Sequence, residues 1–164
     1  MLAIWDGSFY LSRALAMTQA NNQSTLVGNK EVAATLLTLN MFSKDFKEFN
    51  PVHSCFVFDH PGANFRHSID ESYKRNHAAD EQATFKQYQT RLTAHLLALA
   101  GFNVVIRQGV EADDVIASLA LSADQRVTIF TGDKDLQQLV TDKVSTVDTR
   151  QKPAWRGTPE TVTK

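Results

Sequence analysis

Val127-Thr128-Ile129-Phe130-Thr131-Gly132-Asp133-Lys134-Asp135 is the stretch that decides the fold. Four apolar or β-branched residues in succession read as a strand buried on both faces, and Thr131-Gly132 breaks it with a turn. An acid follows at once. The same phrase occurs twice more, where Leu2 to Trp5 runs into Asp6-Gly7 and Ser54 to Phe58 runs into Asp59. Val104 to Ile106 and a weaker run, Val144 to Val147, are further strand candidates.

Helical patterns fill the intervals. They cover Phe9 to Gln19, Glu31 to Glu48 with Val32, Leu36, Leu39 and Phe42 on one face, and Gln82 to Ala100 with Tyr88, Leu92, His95, Leu96 and Leu99 as its stripe. Ala112 to Leu121 and Leu136 to Val140 complete the set. Strands alternating with helices predict an α/β fold with a mostly parallel central sheet and helices on both faces. Ligands of such sheets bind outside the carboxyl ends of the strands. Asp6, Asp59 and Asp133 all fall there, so they are expected to converge, although each alone also suits a turn or a helix cap.

With 164 residues, of which 43% are hydrophobic, the chain can bury one core without disulfides, and a single domain over 1–164 is expected. Its one cysteine, Cys55, excludes an intrachain disulfide and sits among apolar neighbours as a buried, inert thiol. The first residues form no basic leader, and no apolar run approaches the ~20 residues of a membrane span. A cytoplasmic protein without a membrane partner is therefore expected. Net charge is -1, from 17 basic and 18 acidic side chains, so any affinity for nucleic acid must come from a local patch. No G-x-x-x-x-G-K-[ST] loop and no G-x-G-x-x-G turn is present, which argues against binding of nucleotide triphosphates and dinucleotides. Ser8 has no histidine suggestively placed to activate it and reads as a turn or cap residue, and His53 and His95 read as structural.

Glu111, Asp113 and Asp114 crowd the start of a helix just past Gly109-Val110. Like charges so close raise one another's pKa, which a helix N-terminus offsets in part and a divalent cation offsets far more. Capping is the competing explanation, but capping needs only one acid. Asp133 and Asp135 carry the same two readings, with Asp135 also a plain N-cap candidate. Together Asp6, Asp59, Glu111, Asp113, Asp114, Asp133 and Asp135 offer oxygen ligands only, which disfavours zinc and suits Mg²⁺ or Mn²⁺. Two such ions ~4 Å apart suit in-line hydrolysis of a phosphodiester.

A local basic patch follows the second strand-end acid, in which Arg66, His67, Lys74, Arg75 and His77 accompany Tyr73. Lysine and arginine can hold phosphates and a tyrosine can stack on a base, while an exposed amphipathic helix would look similar.

The order Asp6-Gly7-Ser8, Val57-Phe58-Asp59-His60-Pro61-Gly62-Ala63-Asn64-Phe65-Arg66, Tyr73-Lys74, Gly109-Val110-Glu111-Ala112-Asp113-Asp114 and Thr131-Gly132-Asp133-Lys134-Asp135-Leu136 resembles the flap endonuclease family. It is most similar to the 5'-3' exonuclease part of bacterial DNA polymerase I and to phage 5' nucleases, across nearly the whole chain. The resemblance implies a PIN-like fold, a bacterial or phage-infected cytoplasm, and hydrolysis of DNA at 5' flaps or 5' ends. It implies that Asp6, Asp59, Glu111, Asp113 and Asp114 surround a first metal ion, with Asp133 and Asp135 between two ions. It assigns Lys74 to the scissile phosphate, Arg66 to the DNA or the site, and Tyr73 to stacking near the terminal base pair. Arg75 and His77 join the nucleic-acid contacts, and residues 76–89 correspond to the family's helical arch.

Three departures qualify the match. His77 stands where many relatives carry arginine, and a neutral imidazole grips phosphate less firmly near pH 7. Ala78-Ala79-Asp80-Glu81 is acidic where the arch is basic. The chain ends before the family's G-D-x-x-D-N stretch and helix-hairpin-helix region, so a second chain is a candidate to supply duplex binding. Thr158-Pro159-Glu160 is suited to open a further helix. Three functions are carried forward: a metal-dependent 5' nuclease with Lys74, Asp113 and Asp133 as its catalytic residues, a metal- and DNA-binding module with little activity of its own, and a PIN-like ribonuclease.

Overall fold

A computed structural model of the chain describes residues 1–60, 80–151 and 153–162. Its centre is Leu2–Asp6 (β1), whose residues from Ala3 to Asp6 are all buried. A strand apolar on both faces is stable only inside a sheet covered on both sides. β1 accordingly pairs in parallel with His53–Phe58 (β4) on one edge and Val127–Phe130 (β6) on the other. Asn103–Ile106 (β5) extends the sheet beyond β4, and Val144–Asp148 (β7) extends it beyond β6, both in parallel. Trp155–Gly157 (β8) closes that end antiparallel to β7, giving the order β5-β4-β1-β6-β7-β8.

Alternation along the strands divides the core in two. Ala3, Trp5, Phe56, Phe58 and Phe130 face helices Gly7–Ala20 (α1), Ala33–Phe49 (α2) and Asp80–Leu99 (α3). Ile4, Cys55, Val57, Val127 and Ile129 face Ala112–Ser122 (α4) and the short 3-10 helix Asp135–Leu139. Trp5 stacks between its register partners, with ring centroids 4.5 Å from Phe130 and 5.1 Å from Phe56. Phe46 and Phe49 of α2 and Phe102 close over this row. Each such aromatic pair adds about 0.5–1.5 kcal/mol beyond its buried area, so the row also holds the register. Cys55 is the buried, inert thiol expected, its pKa pushed up to about 11 by burial.

The five main strands and the α-helices lie within two residues of the ranges read from sequence. Leu136 to Val140 forms a 3-10 helix in place of an α-helix. Two features carry no signal in the hydrophobic pattern: β8 and a small antiparallel hairpin, Leu26–Val27 (β2) with Lys30–Glu31 (β3). Strands this short carry no periodicity; the hairpin's signal is Gly28, whose φ of +62° serves its two-residue turn. Thr158 starts a single turn, its carbonyl accepting the Thr161 and Val162 amides. Of the expected arch, residues 76–79 lie outside the described residues and 80–89 open α3. No helix among the described residues is long and apolar enough to cross a membrane.

The expected docking stripes of two helices hold only in part: Val32 and Phe42 are buried and Leu39 packs on the core, but three stripe positions face outward. On α3, His95 is exposed and Leu99 is 70% exposed, while Gln89, Thr90, Thr93, Ala94 and Leu97 are buried. On α2, Leu36 is exposed while Ala34, Thr35, Thr38, Phe42 and Asp45 are buried. Hydrogen bonding explains the choice. Gln89 Oε1 accepts from the Thr35 amide at 3.1 Å and its hydroxyl at 2.6 Å, and Nε2 donates to the Glu31 carbonyl at 2.6 Å. Thr93 donates to the same Thr35 hydroxyl. Helix α3 is thus anchored to α2 and β3 by a buried polar lock that a hydrophobic pattern cannot reveal. Removing one partner strands the others without water, which costs about 1–3 kcal/mol. Gln89→Leu, although more apolar and of similar size, is expected to lower the melting temperature by roughly 2–10 °C. An unchanged thermal transition would refute the lock.

Candidate metal centre at the carboxyl edge of the sheet

Parallel pairing carries the ends of β1, β4 and β6 to one edge, where Asp6, Asp59 and Thr131 emerge together. Gly7 lets α1 start there at once, since a Cβ on it would lie 2.5 Å from the buried Phe58 ring. Asp6 is the N-cap of α1, with Oδ1 accepting the Phe9 amide at 2.9 Å. Its Oδ2 accepts the Thr131 hydroxyl at 2.8 Å, and that hydroxyl accepts the Asp133 amide at 3.0 Å. Asp133 Oδ1 in turn accepts the Asp135 amide at 2.9 Å, opening the 3-10 helix.

Asp59 caps a helix from a distant strand: its Oδ1 accepts the Ala112 amide at 2.8 Å, at the first residue of α4. Ser8 Oγ accepts the Asp59 amide at 2.8 Å and so ties the end of β4 to α1. Glu111 occupies the N-cap position of α4 without a side-chain capping bond, and Asp113 and Asp114 lie half-buried in its first turn. The capping alternative therefore redistributes. Asp6, Asp59 and Asp133 do the capping, Asp135 is not an N-cap because Lys134 holds that position, and Asp113 and Asp114 lie inside the first turn of α4 rather than at its cap.

Charge at this edge is under tension. The Asp6 carboxyl is pushed up to about 7, chiefly by burial and further by the carboxylates of Asp113 and Asp59, against the pull of its bonds from Phe9 and Thr131. Three acids from β1, β4 and α4 thus share one electrostatic field, and Asp133 is bonded to Asp6 through Thr131. Asp135 is the exposed outlier. Among the described residues no group of three or more His, Cys, Asp or Glu side chains forms a ready-made cage for a metal ion. Mg²⁺ needs no such cage, because it keeps several waters and takes one or two carboxylates directly. All-oxygen donors around an acid that burial and neighbouring carboxylates keep from ionising are chemically suited to it.

Arg66, Tyr73, Lys74, Arg75 and His77 lie outside the described residues. Sequence reasoning missed Thr131 as the bridge between Asp6 and Asp133, and Ser8 as the anchor of Asp59, because both act across 51 or more positions of chain. It also missed Arg150, whose Nη2 donates to the Gly132 carbonyl at 3.0 Å.

Comparison with known proteins matches residues 1–164 to the family model described as 5'-3' exonuclease, N-terminal resolvase-like domain. DNA polymerase I of Pseudomonas aeruginosa is 37% identical over 151 residues, covering 90% of this chain and 16% of the polymerase. A 5'-3' exonuclease of Buchnera aphidicola is 31% identical over 151 residues, covering 90% of this chain and 51% of that protein. The chain thus spans about half or less of these relatives. Among solved structures, the T5 D15 protein co-crystallised with metal ions has a TM-score of 0.66 at 19% identity, over 94% of this chain and 57% of that one. The catalytic core of Rad2 in complex with DNA substrate has a TM-score of 0.51 at 18% identity, over 88% of this chain and 41% of that one. These likenesses show the same PIN-like α/β fold. Order of motifs, fold and family model agree, and the chain belongs to the 5'-3' exonuclease family through its N-terminal resolvase-like domain.

Proposed function

We propose that this chain is the catalytic part of a divalent-metal-dependent nuclease that hydrolyses DNA phosphodiesters at 5' flaps or 5' ends. The observation that carries the reading is the shared field of Asp6, Asp59 and Asp113 at the carboxyl edge, three acids brought together from β1, β4 and α4. Family membership supports it, as do the similar T5 D15 structures, one with metal ions and one a flap endonuclease complex with DNA and metal ions. Asp6, Asp59, Glu111, Asp113 and Asp114 would hold one Mg²⁺ or Mn²⁺, and Asp133 and Asp135 would reach toward a second. Bound cations would supply Lewis-acid polarisation of the phosphate and a nucleophilic water at neutral pH.

The residues themselves divide the remaining work. Asp6 and Thr131 hold Asp133 in place, while Ser8 and the α4 amide fix Asp59. Lys74 would neutralise charge on the scissile phosphate, with Asp113 and Asp133 the acids nearest the chemistry. Arg66, Arg75 and His77 would grip phosphates, and Tyr73 would stack on a terminal base. Residues 76–89 would form the arch over a 5' strand, residues 1–164 act as one domain, and the duplex could be held by a second chain.

Cleavage of a labelled 5'-flap DNA in Mg²⁺ or Mn²⁺ tests the reading. Asp113→Asn is expected to reduce the rate at least 100-fold, on the order of the loss seen when one electrostatic contributor is removed. Lack of any cleavage by the unaltered chain that this substitution abolishes would sink the proposal, and faster cutting of single-stranded RNA than of flap DNA would move it to the ribonuclease reading.

The Asp6 carboxyl predicts a second, cation-free signature. Its pKa in the folded state, about 7, lies above the ordinary carboxyl value of 3.8, so between these values the folded chain binds the extra proton. Stability from this group is complete below about pH 4 and falls as pH rises to about 7. In EDTA, the Asp6→Asn protein is expected to lose less stability than the unaltered chain between pH 5 and 8, read by urea denaturation. Parallel pH profiles would contradict the shift.

A further inference from the structure

Arg150 belongs to no motif of the family resemblance and its side chain is 46% exposed, yet it bonds into the edge of the candidate site. It lies two residues past the end of β7 and turns back on Asp148, the buried last residue of that strand. Arg150 Nε lies 2.9 and 3.0 Å from the two Asp148 oxygens, Nη2 donates to Oδ2 at 2.6 Å, and the Arg150 amide donates to Oδ1 at 3.0 Å. Such a fork is rigid and directional in a way that a lysine ammonium is not. The guanidinium lies 5.0 Å from the centre of the Phe9 ring, and the same Nη2 donates to the Gly132 carbonyl at 3.0 Å.

Gly132 is the pivot of this contact. A Cβ there would stand 2.4 Å from Phe9 Cζ and 2.5 Å from Arg150 Nη2, so glycine is needed for close approach. On either side of it, Thr131 bonds to Asp6, and Asp133 bonds to Thr131 and receives Asp135. The turn is therefore held from within the site by Asp6 and from outside by Arg150. Burial would raise the Asp148 carboxyl, but the bonds from Arg150 outweigh it and keep the acid below its usual range, ionised and locked to its partner.

We propose that Arg150 is a positioning residue: anchored on Asp148, it fixes the Gly132 turn and with it the backbone that presents Asp133 and Asp135 to a divalent cation. The proposal rests on the metal-site reading above, and two readouts keep the two apart. The sign of the effect on cation binding separates positioning from simple electrostatics. A nearby positive charge repels a cation, so losing Arg150 would tighten binding if charge were all that mattered. Loss of an outer support for metal ligands instead weakens binding, typically about 10–100-fold.

Mn²⁺ binding to the full chain, followed by electron paramagnetic resonance, is expected to weaken about 10-fold or more in Arg150→Met. Arg150→Lys should weaken it comparably, because it keeps the charge and loses the fork. The second readout needs no metal. In EDTA, amide hydrogen exchange at Asp133 and Asp135 should accelerate about 10-fold or more in Arg150→Met while β1 amides keep their protection, which separates a local release from general destabilisation. Unchanged exchange at these two amides overturns the proposal whatever the cation does, and so does Mn²⁺ binding as tight as or tighter than in the unaltered chain. If the unaltered chain binds no Mn²⁺, the metal-site reading falls, and the exchange rates alone decide whether Arg150 holds the turn.

Discussion

Everything at the candidate site depends on the parallel register of β1 between β4 and β6, set by Trp5 stacked between Phe56 and Phe130. A slip of one residue would turn Trp5 to the opposite face and carry Asp6 out of reach of Thr131. With the register held, three strand ends open on one edge, and α1, α4 and the 3-10 helix begin beside them. Positive helix ends and carboxylates therefore meet in one place. The acids are positioned by the same bonds that start the helices.

That economy has a cost. Asp6 is buried and shares its field with Asp59 and Asp113, and both burial and those charges disfavour its ionised form. A fold selected for stability alone would place a neutral asparagine or serine cap there, keeping the bond from the Phe9 amide without the charge. Keeping an acid under these conditions is the pattern of a binding site that trades stability for ligand affinity.

Legibility in the sequence follows the range of the interactions. Strand and helix ranges were readable because they rest on local periodicity. The docking faces of α2 and α3 were not, since Leu36 and Leu99 fit an apolar stripe while Gln89 was chosen for its bonds to Thr35 and Glu31, more than fifty positions away. Asp133 could be suspected from its turn, but that Thr131 joins it to Asp6 required the sheet. Arg150 gave no signal, because its meaning lies in the carbonyl of a glycine on the neighbouring strand's turn.

By itself, then, the sequence determined the α/β alternation, the placing of acids just past apolar runs, the oxygen-only character of the cluster and the family, all properties of residue type and spacing along the chain. Tertiary structure decided which acids share a field, which of them cap helices and from where, and which side chains hold the Gly132 turn. The physical reason is that hydrogen bonds, burial and charge act through space, and parallel strands bring together residues that the chain keeps as many as 125 positions apart.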